Sequence, residues 1–346
     1  MKNLKTKKHM KKSNLKKVPT MAKEIAITLI SLFAGCGGSS LGYEMAGYLE
    51  LLAIEWCKHA RAVFALNFPK VDVKNIDIEQ LTGKQLLKLI NKKPGELDVF
   101  DASPPCQGFS QSDTKRDVNN SKNKLYFKTI ELIKEVQPKV FVIENVLGMR
   151  RGKMKAAWNK IVEAFDKINY RVEFKVVKAE EHGVPQRRRR VIVLGIRNDI
   201  QKQFNIGDLF PKPNLTKVSD MSVGAHIPNV IGFSPGQFDD RFIPATEPMC
   251  TITKTMSAWL YEKSGLRRRP TTPELKLLSS FPESFKFTGS ANQQWARIGN
   301  AVPPNITKAI GLHIKENILT QEVLNHFQPN TTKIHTLVEE ESNQAA

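Results

Sequence analysis

Residues 26 to 42 read AITLISLFAGCGGSSLG, an apolar run, then a glycine-rich turn, then the start of a helical pattern. Taken as strand, turn and helix, this is the opening unit of an alternating chain. The same alternation continues outward. LELLAIE, LDVFDAS, KVFVIEN and VIVLGIR are further strand-like runs, and HARAVFALNF, GKQLLKLINK, KLYFKTIELIKEV and MKAAWNKIVEAFDKI lie between them with helical spacing. From residue 25 to about 196 this predicts an α/β fold, a doubly wound and mainly parallel sheet covered on both faces. Ligands of such sheets gather at the carboxyl ends of the strands. FAGCGG, PPC and Glu144-Asn145 each follow a strand directly, so all three are expected on one rim.

After residue 197 the texture changes. Residues 200–262 are rich in Pro, Gly, Asn, Ser and Thr without a sustained helical period, which predicts a second, smaller, irregular or β-rich lobe. TPELKLLSSF and PNITKAIGLHIKENI then resume helical patterning. The expected division is a disordered basic arm over 1–23, an α/β domain over 24–199, the lobe over 200–262, a motif-bearing segment over 263–325 whose last helix returns to the first domain, and a polar tail over 326–346.

The chain has 346 residues, with 53 Lys and Arg against 34 Asp and Glu, a net charge of +19. That sign favours a polyanionic partner, nucleic acid before a membrane surface, although a merely solvated surface has the same composition. No stretch approaches 18 apolar residues, so no membrane span is expected. A lysine-rich start followed by IAITLISLFAGC has the outline of a secretory leader ending at Cys36. The apolar run is short and follows Glu24, and a first core strand accounts for it better. The four cysteines, Cys36, Cys57, Cys106 and Cys250, have no CxxC spacing. That suits neither a disulfide framework nor a metal site, and fits a reducing compartment, the cytoplasm.

Each motif taken alone has an ordinary reading beside its functional one. Cys106, after Pro104 and Pro105, is either a packed thiol or a nucleophile on a stiff turn. The glycine turn lets backbone approach a ligand, and Glu55, 20 residues after Gly35, is placed for ribose hydroxyls. Glu144 ends an apolar strand, where an acid is desolvated and suited to share a proton, or else pairs with an arginine while Asn145 caps a helix. Arg188 and Arg190 share one face of an extended segment and suit phosphates or a base carbonyl. IGNAVPPNI reads as a turn before the last long helix.

In this order, FAGCGG, PPCQGFS, ENV, QxRxR (Gln186, Arg188, Arg190) and GNAVPP resemble the successive signature motifs of the bacterial-type cytosine-C5 DNA methyltransferase family. RRPTTPE, with Arg268, Thr271 and Glu274, resembles the motif before the last. The resemblance runs from about residue 25 to 320. It implies the S-adenosylmethionine-dependent methyltransferase fold, with residues 24–199 catalytic and the lobe a target recognition domain. Cys106 would be the nucleophile adding to cytosine C6, Glu144 the partner of N3, Arg190 the residue at O2, and Arg188 its neighbour supporting the site. For the cofactor S-adenosylmethionine, the resemblance implies Phe33, Ala34, Gly35, Gly37, Gly38, Glu55, Trp56, Asp77, Ile78, Pro105, Leu125, Asn300 and Val302.

Residues 110–124 resemble a loop that closes over a flipped base, with Lys122 where the family has arginine and Asn120 in place of an acid. Gln107, Ser110, Lys122, Gln186, Thr251 and Thr253 are the implied DNA contacts. PMCTITKT resembles a recurring element of the recognition lobes, and the lobe's small size predicts a site on the order of four base pairs. The implied partner is double-stranded DNA, with no metal, the chain acting as a nucleoid-associated monomer and a cognate restriction endonuclease acting separately. A tRNA-modifying branch, a catalytically silent binding module and a nicotinamide oxidoreductase are the rivals. CQGFS argues against the first, the full catalytic set against the second, and Cys106, Glu144 and the arginines against the third.

Overall fold

The computed structural model describes residues 24–105, 121–150, 155–213, 217–236, 239–255 and 257–327. Its main sheet has seven strands: β1 (Thr28–Leu32), β2 (Leu49–Ile54), β3 (Asp72–Lys74), β4 (Val99–Ala102), β5 (Val140–Val146), β6 (Tyr170–Lys178) and β8 (Arg189–Arg197). The spatial order is β3-β2-β1-β4-β5-β8-β6. The first five pair in parallel, whereas β8 runs antiparallel to both β5 and β6. The sheet is thus mainly parallel, with an antiparallel pair at one edge.

Alternation of side chains supplies a core on each face. Ile30, Leu32, Phe100 and Phe141 point to the face covered by α3 (Gly83–Leu89), α4 (Ser121–Val136) and α5 (Lys155–Asp166), through Leu86, Ile133 and Phe165 among others. Leu29, Val99, Val140 and Val142 point to the opposite face, covered by α1 (Gly38–Met45), α6 (Asn198–Phe204) and α10 (Pro304–Asn317). Helix α10 therefore brings the end of the chain back beside the first helix. α11 (Gln321–His326) joins the same cluster through Val323 and Leu324.

The lobe is built on a four-stranded antiparallel sheet of order β10-β9-β12-β13, from β9 (Val230–Ser234), β10 (Ile243–Pro244), β12 (Trp259–Glu262) and β13 (Arg267–Arg268). Its inner residues Phe233 and Leu260 share a core with α7 (Val223–His226), α8 (Thr272–Leu278), α9 (Ala291–Asn300) and, from the first domain, Phe64 of α2 (Lys58–Asn67). A short parallel ladder joins the parts: Met249 and Cys250 of β11 pair with Gln186 and Arg187 of β7.

Two expected boundaries move. Helix α6 and residues Ile206, Leu209 and Phe210 bury themselves in the first domain's core, and the lobe's sheet runs on through Arg268, past residue 262. Helix α9 replaces part of an expected turn. Ser290 and Gln293 form a reciprocal cap at its start, and Ile298 to Asn300 are its last residues.

Candidate active site

Strand register brings the expected residues to one rim. Lys74, Ile54, Leu32, Ala102 and Ile143 pair in sequence across five strands, so they form a single row. The residues that follow them, Glu55, Phe33, Ser103 and Glu144 among them, emerge side by side at the carboxyl ends. Asp77 and Ile78 follow β3, and Pro104 and Pro105 follow β4.

The turn after β1 is shaped for close approach. Gly35 has φ +60°, and the space a Cβ would take there is open for 4 Å. A Cβ on Gly38 would come within 2.3 Å of the Val302 carbonyl oxygen, so only glycine lets the start of α1 rest on the Ala301–Pro303 turn. Phe33 also has positive φ, 58°, a costly conformation for an aromatic residue that its surroundings must enforce. Across the turn, Glu55 accepts hydrogen bonds from Gly35 N at 2.8 Å and Cys57 N at 2.6 Å. Its carboxylate is thereby fixed while keeping lone pairs for a further donor. Arg61 holds the Glu55 and Trp56 carbonyls, and Trp56 is 70 % exposed. Leu125 packs with Phe33 on the same core cluster, Val302 is buried behind the turn, and Asn300 is exposed at the end of α9. An open glycine turn, an oriented acid and an exposed indole are the parts an adenosine-bearing ligand needs.

Beside this cradle, Glu144 and Arg190 form an ion pair, with Arg190 Nε 2.7 Å from Glu144 Oε1 and side chains 13 and 14 % exposed. Register explains it: Arg190 of β8 lies opposite Val146, two residues from Glu144 and on the same face. Asn145 does not cap a helix. It points to the other face, where its Nδ2 donates to the Pro104 carbonyl at 3.3 Å, tying the end of β5 to the Pro-Pro turn. The sequence signal for this tie is an amide one residue from the acid, which alternation turns towards the neighbouring strand's exit. Cys106, Gln107 and Ser110 lie outside the described residues, as does the side chain of Lys122.

Arg188 is 2 % exposed, and its guanidinium donates to the carbonyls of Ile252 and Gly299, both at 3.0 Å, and of Ala301 at 2.9 Å. Burial pulls its pKa down, Arg190 adds to that, and the Glu144 carboxylate opposes it. Gln186, 1 % exposed, donates to Leu278 O and Ser279 Oγ and accepts from Ile252 N. Helix α9 completes the joint, since Trp295 Nε1 donates to Thr253 O at 2.9 Å.

A family model described as C-5 cytosine-specific DNA methylase matches residues 27–229 and 236–316. The chain belongs to this family. As a methylase it is an enzyme of cytosine-C5 methylation in DNA. It is 31 % identical over 327 residues to the Type II methyltransferase M1.HphI of Haemophilus parahaemolyticus, spanning 83 % of this chain and 86 % of that one. It is 28 % identical over 337 residues to the Type II methyltransferase M.NgoPII of Neisseria gonorrhoeae, 84 % and 96 % of the two chains. The fold matches a putative DNA modification methyltransferase encoded within an E. coli prophage, with TM-score 0.65 and 21 % identity over 85 % of this chain and all of the other. It also matches a DNMT2 mutant of Spodoptera frugiperda, with TM-score 0.62 and 18 % identity over 82 % and 98 %.

In the methylase, one expected role needs correction. Gln186 does not present itself to DNA, because its amide is consumed in the interior. Arg188 is a strut, whose three carbonyl bonds lock the lobe and the Ala301 turn against β8. Thr251 is half-buried and Thr253 exposed, their hydroxyls bonded to the carbonyls of Arg187 and Thr255. Among the described residues, no helix is long and apolar enough to cross a membrane, and no group of three or more His, Cys, Asp or Glu could hold a metal ion. A surface hollow of about 520 Å³ between α4 and α5, lined by Phe127, Lys134 and Lys160 among others, contains none of these site residues.

Behind Glu144 lies a buried acid. Asp101 of β4 is 3 % exposed and accepts from the Tyr43 hydroxyl at 3.2 Å. Burial pushes its pKa up to about 7, against the Tyr43 hydrogen bond that favours the charged form. The folded state thus holds a proton more tightly than the unfolded chain, whose aspartate titrates near about 3.9. The resulting stability is fully present below about pH 4 and is lost as pH rises through about 7. Asp101→Asn keeps an acceptor for Tyr43 and removes the titration. In urea denaturation from pH 5 to 9, the variant gains on the parent as pH rises; parallel curves would show that Asp101 is ionised throughout.

Proposed function

We propose that the chain is the modification enzyme of a Type II restriction-modification system, methylating a flipped-out cytosine in a short duplex site through a covalent bond to Cys106. The observation that carries this reading is the Glu144–Arg190 pair standing on the rim next to the Pro104–Pro105 turn, which lies between the pair and the glycine cradle. The Type II names of the relatives add the cellular context. A base inside a duplex is out of reach of a rim residue, so the target leaves the stack.

The residues then divide the work. The thiolate of Cys106 forms a bond to C6, and the C5–C6 π pair shifts to make C5 nucleophilic. Glu144 holds a proton at N3, so negative charge does not accumulate on the ring, and Arg190, oriented by Glu144, donates to O2. The Phe33–Gly38 turn, Glu55, Trp56, Asp77 and Ile78 hold S-adenosylmethionine, which supplies a methyl group on a sulfonium. Once C5 has taken the methyl group and the sulfonium–methyl bond has broken, a base such as water takes the C5 proton, and the thiol then leaves and restores the aromatic ring. Asn145 pins Pro104, two residues before Cys106 in the chain, and at a reacting centre small misplacements are costly. The enzyme acts as a monomer on double-stranded DNA in the cytoplasm, and its endonuclease partner acts separately.

The test is to incubate the full chain with labelled S-adenosylmethionine and, separately, unmethylated duplex DNA and unmodified tRNA. Label on C5 of cytosine in DNA is expected. Label on tRNA alone moves the chain to RNA modification, and label on neither removes the reading.

A further inference from the structure

The hollow between α4 and α5 has an apolar floor and a cationic rim. Ile130 and Ile168 lie buried beneath it, and Phe127, beside them, is 38 % exposed. Lys134 of α4 and Lys160 and Lys167 of α5 stand exposed around it, and none of the three has an ion-pair partner among the described residues. Glu131 shares the rim but is held by Lys128 at 2.8 Å. Phe127, Ile130 and Lys134 recur at helical spacing on α4, as Lys160 and Lys167 do on α5, so the groove follows both helices for about 10 Å. Such a groove fits an amphipathic segment whose apolar stripe is flanked by acids.

The end of the described chain leads to this groove. The Phe327 ring lies 5.5 Å from the Arg197 guanidinium, and Arg197 donates to the Gln137 carbonyl at 2.8 Å, three residues past Lys134. On the other side, Asn198 donates to Asn169 Oδ1 at 2.9 Å, and Asn169 follows Ile168. Arg197 and Asn198 thus bridge Phe327 to the carboxyl ends of both groove helices. Residues 328–346 follow Phe327 and carry Ile334, Leu337 and Val338 in the i, i+3, i+4 spacing of one helical stripe. At that spacing Glu339 and Glu340 fall on opposite flanks of the stripe, and Glu341 extends it. Ile334 is seven residues past Phe327, a reach of up to about 23 Å for an extended chain. As a helix, residues 334–341 would span about 10 Å, the length of the groove. The other end of the chain does not fit, because residues 1–23 hold nine lysines and no acid, which a lysine rim repels.

We propose that the groove between α4 and α5 is the docking surface for residues 334–341 of this same chain. Ile334, Leu337 and Val338 cover Phe127, Ile130 and Ile168, and Glu339, Glu340 and Glu341 answer Lys134, Lys160 and Lys167. The end of the chain then clasps the sheet, since α10 and α11 pack on one face and α4 and α5 on the other. The contact is intramolecular and independent of the methyl-transfer reaction.

The test is amide hydrogen exchange of the full chain at two protein concentrations. It is compared with a chain ending at Asn330, with full-length Leu337→Asp, and with full-length Lys134→Glu, Lys160→Glu, Lys167→Glu combined. Amides of α4 and α5 are expected to exchange roughly tenfold faster in all three, at either concentration, while those of β1 and β5 hold. Adding Glu339→Lys, Glu340→Lys and Glu341→Lys to the lysine reversal restores the protection, which a chain merely weakened by that reversal would not show. Unchanged exchange in α4 and α5 on truncation overturns the proposal. So does protection that rises with protein concentration, which assigns the groove to a second copy. Faster exchange spread evenly over β1 and β5 as well marks a global loss of stability and overturns it too.

Discussion

Cys106→Ala is expected to reduce methyl transfer by at least about 10⁴-fold, the scale seen when a covalent nucleophile is removed. Cytosine C5 is too weak a nucleophile to attack a methyl sulfonium unless a group has first added at C6. The three cysteines among the described residues are placed otherwise. Cys36 is buried, its thiol pushed up to about 12 by desolvation. Cys57 lies at the start of α2 with Arg297 Nη1 at 3.1 Å from its sulfur, on the cofactor side of the rim. Cys250 belongs to the lobe, and burial raises its pKa to about 11. Single-turnover transfer from labelled S-adenosylmethionine measures the loss, and binding of cofactor and duplex should survive it. Transfer within tenfold of the parent would show that Cys106 is not the nucleophile.

Glu144→Gln should cost 10²- to 10⁴-fold in the transfer step, the usual range for a positioned proton donor. Glutamine fills the same volume and still offers Arg190 an oxygen, so the fold and the orientation of Arg190 are retained. What it removes is the acid that would protonate N3, and with it the means of neutralising the ring as the thiolate adds. The loss should therefore appear in the transfer rate and leave cofactor affinity unchanged. An equal fall in cofactor affinity and rate would instead assign Glu144 a role in holding the cradle. Folding is monitored by urea denaturation at neutral pH, where parent and variant should coincide.

The rim was legible because strand ends carry their own punctuation. FAGCGG, PPC and ENV each stop an apolar run, and parallel pairing then makes their juxtaposition a matter of register. Strands β3 and β6 were not legible. β3 has only three residues, and β6 is an edge strand whose side chains are half exposed on both faces, so YRVEFKVVK reads as neither a buried run nor a clean alternation. α9 was hidden because SANQQWARIGN is polar except for Trp295 and Ile298, and its stability comes from a cap and from packing against a segment some 40 residues away.

Arg188 illustrates the limit from the other side. Alternation placed it on the same face as Arg190, as a neighbour supporting the reacting groups. Whether a buried arginine meets a substrate or a set of orphan carbonyls depends on Ile252, Gly299 and Ala301, which only the folded chain brings together. The same holds for Gln186, whose partners are drawn from α8 and from the lobe.

The central claim is that the rim performs its chemistry through a bond between Cys106 and cytosine C6. Duplex DNA carrying 5-fluorocytosine at the target position tests it directly, because fluorine cannot leave C5 as a proton does and the adduct cannot resolve. The full chain incubated with this duplex and S-adenosylmethionine should give a protein–DNA species that survives denaturation, requires the cofactor and is absent with Cys106→Ala. No such species on a duplex whose unfluorinated form is methylated, or one that persists without Cys106, would contradict the account.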